Sequence, residues 1–398
     1  VKARALPKLF RRAEPEASAV AQGLRIEPVR TAADKLRFIG FQLDLYRDCP
    51  QFVAPIVAER KDFLDPAKNP FLQHAEVELF LALRGSEVVG RAAAIYDPHY
   101  NQFHNSEYGF FGMFDAVEDQ QVASDLLDAC AGWVRRKGMK ALLGPVNLSF
   151  NHDCGLLVEG FDHAPAMMMP YNHPYYPGLV EGNGFKKAKD LWSYELSTSI
   201  APPERVVRVA EKIRAQDGVR VRPIDLKNLR EEIRRIKSVY DVMLERIFGF
   251  VPMTDAEFDM IAARLRPLVQ IRSELCLIAE IGDEPVAFSL TFPDANVALK
   301  PASGHLTQFG LPVGLAKMAW AARGIDRLRV LLFGIKPGYR RRGVDALLFL
   351  DTLRAARQLG YSGGELGWTT EDNDLMNRAI ESMGARRYKV YRVYERAV

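Results

Sequence analysis

The sequence lacks the marks of several large protein classes. Its four cysteines, Cys49, Cys130, Cys154 and Cys276, lie far apart and form no CxxC pair. That argues against a disulfide framework and a thiolate zinc site, and reads as reduced, mostly buried thiols of a cytosolic protein. No uninterrupted run of about 18 apolar residues occurs, so no transmembrane helix is expected. A GxxxxGK[ST] loop and a GxGxxG fingerprint are both missing, and with them the usual nucleotide-binding motifs. Charge of one sign is scarce: the net charge of +4 over 398 residues leaves little for neutralising nucleic-acid phosphates. What remains is an ordinary globular composition, 48% hydrophobic and 26% charged, long enough for two or three domains.

The first 23 residues are basic, rich in small side chains and without the apolar core of a signal peptide. They read as a flexible arm whose Lys and Arg suit peripheral contact with a membrane surface. The location expected is therefore cytoplasmic, with room for contact at the inner membrane. From Gly23 onward the pattern is strand, helix, a hairpin turning at Arg84-Gly85-Ser86, strand, helix stopped at Gly138, strand, short helix and strand. "APPERV" at 201–206 resets the chain, and the same order returns through a hairpin at Gly282-Asp283-Glu284 and a helix stopped at Gly360. A repeated order of this kind implies two mixed α/β domains, 24–200 and 201–398. Residues 293–324, apolar and broken by Gly and Pro, have no counterpart in the first half. They read as a surface flap or as a lid over a greasy substrate.

The most informative stretch is "RVLLFGIKPGYRRRGVDALLFLDTLRAARQLG". A strand containing Phe333, Gly334 and Ile335 ends at Lys336-Pro337, and a helix begins near Val344. The free N–H groups of a helix start attract anions, Arg340, Arg341 and Arg342 add forked donors, and Gly343 permits close backbone approach. A solvated basic turn is the plainer reading; a pyrophosphate site is the sharper one. Further on, Asn373 stands eleven residues before Gly384 in "NDLMNRAIESMG".

Taken together, "IKPGYRRRGVD" and "NDLMNRAIESMG" resemble the pyrophosphate and final-helix motifs of the GNAT acyl-CoA N-acyltransferase family. Arg340 and Gly343 match its phosphate turn, and Ile335 matches the residue whose backbone faces the thioester. Ile380 stands where that family places a tyrosine acid, and Asp345 replaces a small residue. The first half resembles the same fold more weakly through Asn172 and Gly184. Its equivalent turn carries Asp115, Glu118 and Asp119 and no arginine, so loss of CoA binding there is implied. "NPFLQHAEVELFLA", "MMMPYNHPYYP" and "GWTTEDN" resemble the tandem bacterial group that includes a ceramide-forming N-acyltransferase. The fold implied is two tandem GNAT-like α/β domains, each a mixed, largely antiparallel sheet flanked by helices. The co-substrate implied is acyl-CoA, without a metal, and the partner an amine substrate such as a sphingoid base.

Acyl transfer to an amine requires a base, donors for the oxyanion and an acid for the thiolate. Glu371 in "GWTTEDN" is one candidate base, against the plain reading of an acid enriched at a helix start. His152 with Asp153, in "NLSFNHDCG", is another. Tyr391 and Tyr388 are candidate acids, although on an alternating strand they also read as packing residues. "AMMMPYNHPYYP" reads as a packed loop or as the wall of a long apolar tunnel. Two alternatives to a long-chain acyltransferase follow from the same residues: a small-molecule or peptide N-acetyltransferase, and a non-catalytic CoA-binding or structural protein.

Overall fold

A computed structural model of the chain describes residues 23–216, 218–243, 247–308 and 310–398; the basic arm expected at 1–23 lies outside these but for Gly23. The first half contains β1 (Leu24–Pro28), α1 (Ala32–Leu45), α2 (Val57–Phe63), β2 (Glu76–Arg84), β3 (Glu87–Tyr96), α3 (Pro98–His104), β4 (Tyr108–Ala116), α4 (Gln120–Arg136), β5 (Ala141–Gly144), β6 (Leu156–Glu159), α5 (Tyr176–Glu181) and β7 (Lys186–Ser197). The second contains α6 (Glu204–Gln216), β8 (Val219–Pro223), α7 (Leu229–Met243), α8 (Asp255–Ile271), β9 (Cys276–Ile281), β10 (Glu284–Pro293), α9 (Asn296–Leu299), α10 (Val313–Ala321), β11 (Arg327–Ile335), α11 (Val344–Gln358), β12 (Gly363–Thr370), α12 (Asp374–Ser382) and β13 (Arg386–Ala397).

Local chemistry starts these elements where the pattern places them. Thr31 and Asp34 form a capping box at α1, and Thr254 and Glu257 form another at α8. Both hairpins turn through a glycine at positive φ, Gly85 and Gly282. The central strands are buried on both faces. On β3, Ala93 and Ile95 pack into one core with Phe38 and Ile39 of α1, while Ala92 and Ala94 pack against Val122 and Leu126 of α4 on the other side. On β10, Phe288, Leu290 and Phe292 join α7 and α8, while Val286 joins Leu347 and Leu348 of α11.

The strands make one sheet in the order β1-β2-β3-β4-β5-β13-β7-β12-β11-β10-β9-β8, with β6 also paired to β13. Most neighbours are antiparallel; β4–β5 and β11–β12 are parallel. The last strand of each half crosses over. β7 closes the first half in sequence but pairs with β12, and β13 closes the second but pairs with β5. The two exchanged strands lie antiparallel to each other along nearly their whole length, Arg386 opposite Glu195 and Glu395 opposite Lys186. The repeat at Ala201 therefore divides the sequence, while the sheet runs unbroken across it.

A second tie lies away from the sheet. His74 of the first half sits between Asp97, 3.5 Å from its Nδ1, and Glu257 of α8, 3.4 Å from its Nε2. Burial of the ring opposes its protonation, but the two carboxylates outweigh it and raise its pKa from 6.5 to about 9. His74, Asp97 and His99 are also the nearest approach to a metal-ligand group among the described residues. The His74 and His99 rings stack at 4.2 Å and 14°.

Two outcomes are expected. Residues 23–200 and 201–398 produced separately should fail to fold cooperatively, because each would lack its outermost partner strand; mixing or co-expression should restore a single sharp transition. Two independently cooperative fragments would contradict the strand exchange. The His74 ion pairs should add roughly 1–2 kcal/mol, discounted for partial exposure. Because the folded pKa is raised, that stability is complete below about pH 6.5 and lost as pH rises through 9. His74→Gln should flatten this part of the stability–pH curve measured by chemical denaturation.

Candidate active site

The parallel pair β11–β12 is registered only from Arg327–Gly363 to Val330–Leu366. Beyond that point the strands part. Two irregularities drive them apart: Leu331 is an extra residue in the pairing of β11 with β10, and the register of β12 against β7 slips between Leu366 and Thr369. The fork holds a cavity of about 190 Å³, lined by Leu331, Leu332 and Phe333 on one strand and Gly367 to Thr370 on the other. At the far end of β11, Gly343 is the N-cap of α11 with φ +82°, and no side chain caps the helix. The first N–H groups of α11 thus lack a side-chain acceptor. Arg340, Arg341 and Arg342 surround this end and are exposed. Arg340 donates to the Met243 carbonyl at 3.0 Å, and Arg342 lies over the Tyr339 ring.

The first half has the same fork, and it is filled. β4 and β5 are parallel from Tyr108–Ala141 to Phe110–Leu143, and the register of β4 against β3 then slips between Arg91 and Ala93. Here the chain itself takes the open edge. Val146 N–H donates to the Phe111 carbonyl at 2.8 Å, and the Asn147 amide oxygen accepts from Met113 N–H at 2.7 Å. A Cβ on Gly112 would lie 1.9 Å from the Val146 carbonyl oxygen, so the contact is backbone on backbone. The helix start beside it is also filled. The Asp119 carboxylate accepts from Gln121 and Val122 N–H groups at 2.9 and 3.3 Å, and Arg84 pairs with it at 2.7 Å. Asp115, on β4, is instead buried in an ion pair with Arg91 at 2.7 Å and accepts from the Tyr176 hydroxyl at 3.2 Å. One acid of this turn, Asp119, thus caps the helix start itself.

The segment that fills the first fork continues into the second. Phe150, Asn151 and His152 line the open cleft from the first half. Behind them lies a larger chamber of about 500 Å³, walled by Met167, Met168 and Met169, by Phe52 to Ile56, by Ile261, Leu265 and Leu268 of α8, and by Leu299. His152, Met168 and Ile261 line both cavities, so the two spaces meet there. The His152 Nδ1 is 2.9 Å from Ser149 Oγ, while its Nε2 is buried without a partner. Burial is the main reason its pKa falls to about 4, which leaves the imidazole neutral. Asp153, the next residue, lines the chamber, and burial raises its pKa against the opposing pull of Arg60.

The other sequence candidates fall in different places. Phe333 lines the cleft and stacks on Phe349 at 4.4 Å; Asn373 lines it as the N-cap of α12, accepting from Met376 N–H. Ile380 also lines it, so the expected absence of a tyrosine acid at that point leaves an apolar wall. Gly334 faces α7, where a Cβ would lie 2.0 Å from Met243 Sδ; Ile335 and Val344 pack into the core around α11. Glu371 is spent elsewhere. It pairs with Lys187 at 2.6 Å, accepts from Asp190 N–H at 3.1 Å, and does not line the cleft. Tyr391 is fully buried, its hydroxyl without a partner, and Tyr388 donates to Glu365; burial pushes both phenols up. Neither lines either cavity.

Sequence reasoning missed Tyr240 and Asn151. Tyr240 lines the cleft and donates to Asn151 Oδ1 at 2.6 Å, and Asn151 in turn donates to the Val251 carbonyl at 3.1 Å. It also missed α8, which supplies one chamber wall. The insertion at 293–324 is largely helical and contributes Ala295, Asn296 and Leu299 to the chamber.

One open fork beside an uncapped, arginine-flanked helix start, joined through a sheet to a filled copy of itself, defines a tandem GNAT-fold N-acyltransferase. No family model matches the chain. Solved structures of this fold include a tandem GNAT protein from the clavulanic acid biosynthesis pathway, with a TM-score of 0.54 at 11% identity over 94% of this chain and 98% of that one. A GCN5-related N-acetyltransferase from Sphaerobacter thermophilus aligns with a TM-score of 0.50 at 13% identity over 94% and 95% of the two chains. The chain belongs to the family of the bacterial ceramide synthase of Caulobacter vibrioides, to which it is 34% identical over 382 residues, 94% of this chain and 98% of that protein. Protein YghO of Escherichia coli K12 is 33% identical over 376 residues, 92% of this chain and 93% of that protein.

The two helix starts should respond differently to substitution. Arg341→Glu with Arg342→Glu should abolish the rise in thermal midpoint that CoA gives the parent chain. Asp119→Ala should lower stability by about 1 kcal/mol through loss of the cap and leave the CoA response intact. Loss of the CoA response in Asp119→Ala instead would place the anion site in the wrong half.

Proposed function

We propose that the chain transfers a long acyl group from acyl-CoA to the amine of a lipid-like acceptor, such as a sphingoid base. The observation that carries this reading is the junction of two cavities at His152, Met168 and Ile261, one beside the uncapped, arginine-flanked start of α11 and one larger and mostly apolar. The pyrophosphate would lie against the first N–H groups of α11 and the arginines around them. Pantetheine would run along the edge of β11 that β12 leaves open, with backbone N–H groups past Leu331 available to the thioester oxygen. The acceptor would take the chamber, where methionines adapt to an irregular chain.

The chemistry then needs the amine deprotonated and a proton delivered to the thiolate. An alkyl ammonium entering the mostly apolar chamber loses its hydration; of the carboxylates that line it, Glu59 and Asp115 are paired with arginines, and Asp153 adjoins His152, where the two cavities meet. As the nitrogen attacks the thioester carbon, its surplus proton passes to Asp153 or to the free nitrogen of His152. The C–S bond breaks, and Tyr240 is the cleft phenol that would turn from Asn151 to protonate the sulfur. Roles for Glu371 and Tyr388 would require them to leave the partners that now hold them, and Tyr391 is buried away from both cavities.

The test is CoA release with palmitoyl-CoA and with acetyl-CoA, using sphinganine as acceptor and product mass as confirmation. Palmitoyl-CoA should be strongly preferred. Asp153→Asn should lower kcat by about 10²- to 10³-fold while the acyl-CoA-induced rise in thermal midpoint persists. Equal use of acetyl-CoA would remove the long-chain reading, and unchanged kcat in Asp153→Asn would remove that residue from the mechanism.

A further inference from the structure

Residues 295–325 contain no aspartate or glutamate; their charged side chains are Lys300, Lys317 and Arg323. The same stretch carries the largest concentration of exposed apolar side chains among the described residues. Leu311, Leu315 and Trp320 are 62%, 50% and 76% exposed, and Val297 is 37% exposed. Apolar groups this exposed and this close together mark an interaction surface.

Backbone packing holds them outward. A Cβ on Gly314 would lie 1.8 Å from the His305 carbonyl oxygen, so this side of α10 is pressed onto the turn before it. Helical spacing then puts Leu315, Ala319 and Arg323 in one outward row and Ala316 and Trp320 in the next. The insertion is anchored on the first half. Val57 N–H donates to the Gly304 carbonyl at 2.9 Å, and Lys300 Nζ donates to the Pro50 carbonyl at 2.6 Å. Both anchoring segments border the chamber, through Phe52 to Ile56 on one side and Ala295, Asn296 and Leu299 on the other. The outward apolar face thus belongs to the element that roofs the chamber.

We propose that α10 and Leu311 dock on an anionic bilayer, the helix lying in the boundary between headgroups and acyl chains. A tryptophan and leucines on one face, with Lys317 and Arg323 beside them and no acid between Asp294 and Asp326, are the composition such a boundary selects. Charge argues against a second copy of the chain as the occupant, since two copies meeting here would set like charges against each other. Docking would bring the chamber roof to the bilayer, so that a lipid acceptor passes between them without crossing water. That last step rests on the function proposed above; the docking itself does not.

The full chain should co-float with vesicles of phosphatidylcholine and phosphatidylglycerol, and much less with phosphatidylcholine alone. Leu315→Asp with Trp320→Asp should weaken binding to the mixed vesicles tenfold or more, with an unchanged thermal midpoint. Lys317→Glu with Arg323→Glu should weaken it by at least about fivefold per charge and remove the preference for phosphatidylglycerol. Both variants should keep the parent rate on detergent-dispersed acceptor. Equal flotation of parent and variants, or none by the parent, would overturn the proposal. So would a concentration-dependent dimer of the parent in gel filtration that the Leu315 and Trp320 variant abolishes, because the face would then belong to a second copy. Vesicle binding without acyl transfer would count against the proposed function and leave docking standing.

Discussion

The antiparallel pairing of β7 with β13 is the constraint on which the rest of the molecule depends. It joins two sheets that would otherwise end at β5 and β12, and it does so with strands taken from the opposite halves. Exchange of this kind removes two sheet edges that would invite pairing with other chains. It also fixes how the halves face each other. The segment 147–153, which leaves the first half just after β5, has only one place to go once β13 lies beside that strand. It crosses to the second half, where Asn151 is gripped by Tyr240 and by the Val251 carbonyl. His152 reaches the cleft because the sheet brings the two halves together there.

Duplication has been resolved into two unlike forks by small local changes. In each half a slip in register parts a parallel pair and exposes a strand edge. Unpaired backbone groups are costly when buried, so each edge needs a partner. In the first half the chain provides it, with Val146 and Asn147 bonded to β4 and the Asp119 carboxylate capping α4. In the second half no side chain caps α11, although Asp345 stands in its first turn, and the edge of β11 faces a cavity. A glycine at the N-cap and an aspartate at the N-cap are both ordinary helix starts. Here the choice between them separates a helix start filled by its own carboxylate from one without a side-chain cap.

The parts of this arrangement that were legible in sequence are those with a local signature. Strand, arginine turn and helix at 327–358 could be read because their residues are contiguous, and the hairpins could be read from their glycine turns. The exchange of β7 and β13 left no such trace, since both strands alternate in the same way whichever sheet they join. Tyr240 looked like any buried residue of an amphipathic helix until Asn151 was found against it. The pattern of α8 was passed over in the link between α7 and β9, and its chamber wall with it. Glu371 was misleading for a physical reason: an acid at a helix start is equally at home in an ion pair, and Lys187, distant in sequence, brings that pair about. His152 was legible as a residue type, but its neutral, unpartnered nitrogen is a product of burial that no sequence pattern displays.

The fork itself has to be held at one place, and buried charge does this. Arg329 and Glu365 stand opposite each other one pair before β11 and β12 part, both nearly without solvent exposure, with Nη1 and Oε1 2.5 Å apart. From β13, Lys389 reaches Glu365 at 3.3 Å and the Ala164 carbonyl at 2.7 Å, and Tyr388 donates to the same carboxylate. Burial would raise the pKa of Glu365, but Arg329 and Lys389 outweigh it and keep the carboxylate ionised. Burial drives Lys389 the other way, making its ammonium easier to lose. A buried pair of this kind contributes little net stability over an apolar replacement, because desolvation offsets most of the attraction. What it supplies is register. A one-residue slip of β12 would leave Arg329 without its carboxylate in a dry interior, at a cost of several kcal/mol. The parallel pairing is therefore fixed just short of the point at which it must end, and the exchanged strand β13 provides two of the groups that fix it.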